Sequence, residues 1–202
     1  MFAEHLPILQ IVIPLMAAPV CVLLRRRDWA WAFAMAVSWL VFAMTAMMLE
    51  RVLFEGTVVY SLGNWPAPWG IEYRIDVVNG FVAFFVSLIG AVVLAYAPRS
   101  VAAELPGVRG NLFFTAFLLC LTGLLGMTVT GDVFNVFVFL EISSLSSYAL
   151  IALGPDRRAL SASYQYLVMG TVGATFYVIG VGLLYMMTGT LNMVDMAERL
   201  QP

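Results

Sequence analysis

The sequence predicts an all-α integral membrane protein with six transmembrane helices. Three observations carry that prediction. Hydrophobic residues make up 62% of the 202 and charged residues only 11%, with a mean hydropathy of +0.95, whereas a soluble domain carries about a quarter charged residues. The apolar runs are long and do not alternate with period two, which favours helices over a barrel. One of those runs, 131–154, sets one carboxylate, Glu141, in its middle, well past Asp132 at its start.

The first span is read at 6–24, with Pro7, Pro14 and Pro19. Pro14 is expected to kink it, since proline removes a backbone donor and crowds the preceding turn. No basic segment precedes this run and Arg25–Arg27 follow it, the pattern of a span held by its flanks and not of a cleaved signal. The second span, 29–49, opens with Trp29 and Trp31 at the depth of an aromatic belt. Residues 50–75 form the longest connection. The stretch LGNWPAPWGI at 62–71 makes it an irregular surface loop with room for short strand pairing.

The third span, 77–97, follows Asp76 as a cap, and a loop at 98–110 leads to the fourth at 111–130. Thr130-Gly131-Asp132 is a tight turn into the fifth, 133–153, with Asp132 placed to accept the first unpaired amides. Gly154-Pro155 ends it; the sixth span is 164–187, and 188–202 reads as a short interfacial helix. Neither duplication nor linker divides the chain, so residues 1–202 are taken as a single transmembrane domain.

Every basic residue is arginine; there is no lysine. With the N-terminus outside, the inner connections hold Arg25, Arg26, Arg27, Arg99, Arg109, Arg157 and Arg158, the outer ones only Arg51, Arg74 and Arg199. That bias puts both termini outside. A net charge of −2 is too small to argue for nucleic acid or an acidic-lipid surface as a partner, and no nucleic acid is expected. Cys21 and Cys120 lie in apolar runs with no CxxC or Cys/His grouping, so they read as small hydrophobes, with no metal site expected.

Glu141 is the candidate site. Nine residues past Asp132, at about 1.5 Å each, it lies roughly 13–14 Å deep, near the middle of a hydrocarbon core about 30 Å thick. An ionised acid there costs about 2.5–3.5 kcal/mol or more, and such residues mark ion or proton pathways. A lone carboxyl in low dielectric favours its neutral form and a neighbouring cation favours the ionised one. No cation of this chain lies at that depth, so a partner cation is expected from elsewhere. The competing role, a neutral Glu hydrogen-bonded for packing, is met more cheaply by Ser or Asn.

Ser144 and Tyr148 fall within about 60° of the Glu141 face at 100° per residue. They can bond the carboxyl, hold a water chain or simply pack, and those roles stay open. Packing is the reading for Ser143, Ser146 and Ser147, and for Asn135 a cap or packing role. The sixth span carries Gly170, Thr171, Gly173, Thr175, Gly180 and Gly182, read as close helix packing. No GxGxxG or GKS/GKT pattern follows a strand.

Three segments together carry a resemblance: LGNWPAPWGI at 62–71, GDVFNVFVFLEISSLSSYALIALG at 131–154 and YLVMGTVGATFYVIGVGLLYMMTGTLNMVDMA at 166–197. They resemble the antiporter-like subunits shared by Mrp-type cation/proton antiporters, respiratory complex I and membrane-bound hydrogenases, and most of all the D member of the Mrp type. The resemblance implies that Glu141 is the proton-pathway residue of the fifth helix. It also implies a partner lysine on a broken seventh helix and a second, inverted repeat, in a subunit of about fourteen helices.

On that basis the chain is expected to be the N-terminal part of a proton-translocating subunit in the cytoplasmic (inner) membrane of a bacterium or archaeon. Its expected partners are protons, Na⁺ or another monovalent cation, the lipid bilayer, and other membrane subunits including one that supplies the lysine. No cofactor is expected, since no haem, iron–sulfur or flavin motif is present. The rivals are the pumping arm of a quinone reductase or hydrogenase, whose redox centres would sit in other subunits, and a structural subunit without transport of its own.

Overall fold

The computed structural model describes residues 3–24, 26–105 and 110–201. It consists of α1 (Leu6–Leu23), α2 (Arg27–Glu55), the strands β1 (Val58–Ser61) and β2 (Glu72–Ile75), α3 (Val77–Glu104), α4 (Gly110–Val129), α5 (Val133–Ala152), α6 (Arg157–Thr188) and α7 (Met193–Arg199). The helices α1 to α6 are each long and apolar enough to cross a membrane.

Several helices run past the apolar stretches that announce them. At about 1.5 Å per residue, the 29-residue α2 and the 32-residue α6 exceed a core about 30 Å thick. Asp156 starts α6 well before position 164 by accepting from the Arg158 amide at 3.1 Å. Hydropathy reports the lipid-facing length, while the cap sets where the helix begins. Prolines do not end these helices. The α1 ladder resumes after Pro14 and Pro19, and α3 continues through Pro98 to Glu104, replacing the first part of the expected loop. Losing one backbone bond costs less than opening several in or near lipid. Residues 106–109 of that loop, and with them Arg109, lie outside the described residues, as does Arg25.

The helices α1 to α4 form the packed body: α1 lies against α2 and α4, and α3 against the same two. Alanines dominate one core cluster, with Ala17, Ala18, Ala30 and Ala34 buried beside Cys21, Leu94, Phe114 and Leu118. Small side chains allow the close approach on which helix association in lipid depends. Polar ties cross the body: Thr45 Oγ1 lies 2.6 Å from Ser87 Oγ, and Trp31 Nε1 donates to the Leu94 carbonyl at 2.8 Å. Onto α4 packs α5, and onto α5 packs α6. The buried residues of α6, Ala174, Val181 and Thr188, form one seven-residue line, so most of its circumference is open.

One end of the bundle is closed by main chain. The strands β1 and β2 pair antiparallel, Val58 with Ile75 and Ser61 with Glu72, which is the strand pairing the long loop allowed. The Gly131 amide donates to Glu72 O at 2.9 Å, Val133 N to Leu191 O at 3.0 Å and Met193 N to Gly131 O at 2.8 Å. The hairpin, the α4–α5 turn and the α6–α7 turn are thereby joined. Gly189 stops α6 in the left-handed region at φ 70°, a conformation that favours glycine. Asp76 caps α3 as expected, accepting from the Asn79 amide at 2.8 Å, and Asn79 Nδ2 donates to Thr128 O at 2.6 Å.

Candidate functional site

The α4–α5 turn sets the origin of α5. Asp132 Oδ1 accepts from the Asn135 amide at 2.7 Å, and Asn135 Nδ2 donates to Thr130 Oγ1 at 3.0 Å. Asp132 is buried; burial pushes its pKa up against the opposing pull of the Asn135 and Phe134 amides. Next to it, burial pushes the Tyr73 phenol up to about 12 despite the Asn135 side chain. Asp195 moves the other way, lowered by its hydrogen bond from Arg199. Between the hairpin loop and the α6–α7 turn lies a cavity of about 510 Å³, lined by Trp69, Asp132, Tyr185, Thr190 and Arg199 among others.

From that origin the sides of α5 separate by neighbour. One faces α4: Asn135, Phe139, Ser143 and Ser146 are buried, and Cys120 Sγ lies 3.7 Å from Ser143 Oγ and 3.5 Å from Ser147 Oγ. Ser146 and Ser147 bond back to Ile142 O and Ser143 O, in keeping with a packing role. A second side faces α6. Phe137 stacks on Tyr177 with ring centroids 6.4 Å apart, and the Tyr177 hydroxyl donates to Val133 O at 2.9 Å. Tyr148, 7% exposed, meets Tyr166 edge-on at 4.9 Å. The third side, Phe134, Val138, Leu145 and Ala149, is exposed.

Glu141 stands on the border between the α6-facing side and the open one, half-buried. Among the described residues its carboxyl has no hydrogen bond or ion pair. Ser144 is half-buried and Tyr148 buried on the same side of the helix. Helical period puts the three together, yet no hydrogen bond among the described residues joins them. The sixth helix differs from its expected close packing. Thr171 and Thr175 bond back to their own helix, and side chains added at Gly173, Gly180 or Gly182 would meet nothing within 4 Å. Only Gly170 is in tight contact, against Tyr148. Gly170 keeps the close packing read for it, while Tyr177 is the site neighbour that sequence reasoning passed over. Their spacing of seven residues, which puts both on one helix face, was the available signal.

Six apolar helices, the fifth carrying one carboxyl midway along its length, define a polytopic helical membrane protein. Residues 130–201 match the family described as NADH:quinone oxidoreductase/Mrp antiporter, transmembrane. The N subunit of the NADH-quinone oxidoreductase of Desulforudis audaxviator (strain MP104C) is 45% identical over 98% of this chain and 40% of its own length. The D subunit of the Na⁺/H⁺ antiporter of Bacillus subtilis (strain 168) is 33% identical over 96% of this chain and 39% of its own.

Among solved structures, a chain of the membrane-bound sulfane sulfur reductase, an archaeal respiratory membrane complex, superposes with TM-score 0.89 at 30% identity. A chain of the Mrp complex from Dietzia sp. DQ12-45-1b does so at 0.85 and 25%. These cover 96% and 98% of this chain, and 40% and 39% of theirs. Residues 130–201 thus match the model of that family, and nearly the whole chain is similar in sequence to subunits of an NADH-quinone oxidoreductase and of a Na⁺/H⁺ antiporter. The chain spans about 40% of the length of these relatives.

Proposed function

We propose that the chain is part of a proton-translocating subunit of a multisubunit monovalent cation/proton antiporter, with Glu141 as the residue that takes up and releases the proton. One observation carries the reading: a half-buried carboxyl about 12 Å along a membrane-spanning helix, bordering an open face, with no polar partner among the described residues. An unpartnered acid at that depth is expensive and marks a pathway.

Glu141 exchanges its proton with a water-filled half-channel. A lysine from outside these residues approaches the open side of α5. Its charge favours the carboxylate, and its withdrawal favours proton uptake. Ser144 and Tyr148 hold water on the Glu141 face. The cavity beside Asp132 brings solvent to the first turn of α5. The arginine-rich end faces the cytoplasm, so the hairpin end and both termini lie outside the inner membrane of a bacterium or archaeon.

Glu141→Gln in the complete assembly tests this directly. Glutamine keeps volume and hydrogen bonding but binds no proton. Cation-dependent proton flux in vesicles is expected to be abolished with assembly intact, and wild-type flux would remove the reading. The 45% identity to a protein named as an NADH-quinone oxidoreductase subunit suits a second reading, the same Glu141 chemistry in a redox-driven arm. Proton flux that answers to quinone reduction and not to added Na⁺ or K⁺ would select it.

A further inference from the structure

We infer that Gly170 is a positioning residue for Tyr148: its missing side chain leaves the socket that holds the Tyr148 hydroxyl against α6, on the Glu141 face of α5. The inference rests on the proposed role of Glu141. A Cβ at Gly170 would overlap Tyr148 Oη and stand 2.9 Å from Cζ and 3.6 Å from Cε1. No side chain fits there unless the ring or the helix moves. The other glycines in the middle of α6 have no such constraint, since Gly173, Gly180 and Gly182 face open space.

Three contacts fix the tyrosine from different sides. Ser163 Oγ donates to the Tyr148 carbonyl at 2.8 Å, Tyr166 covers the ring edge-on, and the α6 main chain at Gly170 backs the hydroxyl. The hydroxyl itself has no hydrogen bond among the described residues, so it remains free for water. Helix side chains lean toward the N-terminus, which carries the ring back along α5 toward Ser144 and Glu141. Glu141 lies between two α5–α6 contacts, Phe137 on Tyr177 before it and Tyr148 on Gly170 after it. A Cβ at position 170 would take the place of the hydroxyl, so its absence sets where the Tyr148 hydroxyl lies against α6.

The test compares Gly170→Ala, Tyr148→Phe and the double variant in the complete assembly, with Glu141→Gln in parallel. Cation-dependent proton flux and assembly yield are measured for each. Gly170→Ala is expected to lower flux several-fold, more than Tyr148→Phe does. The double variant should return to the Tyr148→Phe level, because removing Oη removes the overlap and leaves a 2.9 Å approach to Cζ that a small shift of the ring relieves. Wild-type flux in Gly170→Ala overturns the inference, and so does a double variant no better than Gly170→Ala. Should Gly170→Ala fail to assemble, restoration by Tyr148→Phe supports the socket and lack of restoration overturns it. Wild-type flux in Glu141→Gln removes the role of Glu141, while the rescue still reads the socket separately.

Discussion

A carboxyl that works by exchanging a proton should be sensitive to its reach as well as to its charge. Glu141→Asp keeps the acid and withdraws it by one methylene, so partial flux is expected where Glu141→Gln gives none. Ser144→Ala and Tyr148→Phe remove only hydroxyls that bond nothing in the protein among the described residues. Water can replace a hydroxyl in a wet path, so each should lower flux about two- to five-fold, or by about 1 kcal/mol or less in barrier. The ranking Gln, then Asp, then the two hydroxyl variants is measured as cation-dependent proton flux at matched expression. Equal loss in all four would point to packing as the common cause.

At the scale of the element, the start of α5 separates cap from charge. Asp132→Ala removes the acceptor of the Asn135 amide and should cost about 0.5–2 kcal/mol. Asp132→Asn keeps an acceptor and discards the charge. Because burial raises the folded pKa of Asp132, its pH-linked stabilisation is fully present below the ordinary carboxylate range and lost as pH rises through the raised value. Asn is therefore expected to be neutral or slightly stabilising at pH 7, with its advantage shrinking on acidification. Unfolding midpoints of the purified assembly in detergent check both variants.

Much of this element was legible in the sequence. The Asp132 cap, the length of the run and the shared face of Glu141, Ser144 and Tyr148 follow from local chemistry and helical period. The overhangs of α2, α3 and α6 did not, because hydropathy stops at the lipid boundary while backbone pairing continues past it. Nor did the seat of Tyr148 on Gly170, since one glycine among many carries no mark of which neighbour it admits.

For the whole molecule, the arginines predict orientation. With Arg26, Arg27, Arg99, Arg157 and Arg158 at one end, and the hairpin, Asp132 and α7 at the other, cysteines introduced at positions 26 and 157 of a chain lacking its native ones should be protected from impermeant thiol reagents in intact cells. A cysteine at position 69, in the exposed hairpin loop, should react. Reversal of that pattern would invert the topology.

The main-chain seam at the hairpin end limits how this bundle can move. Sliding α5 along its axis there would break the hydrogen bonds that the backbone amides of Gly131, Val133 and Met193 donate, and these do not depend on side-chain chemistry short of proline. The floor of the helix that carries Glu141 is thus anchored like a post set in masonry. On the proposed role of Glu141, a stroke tied to its protonation would come from rotating side chains or from parts of the bundle away from this seam.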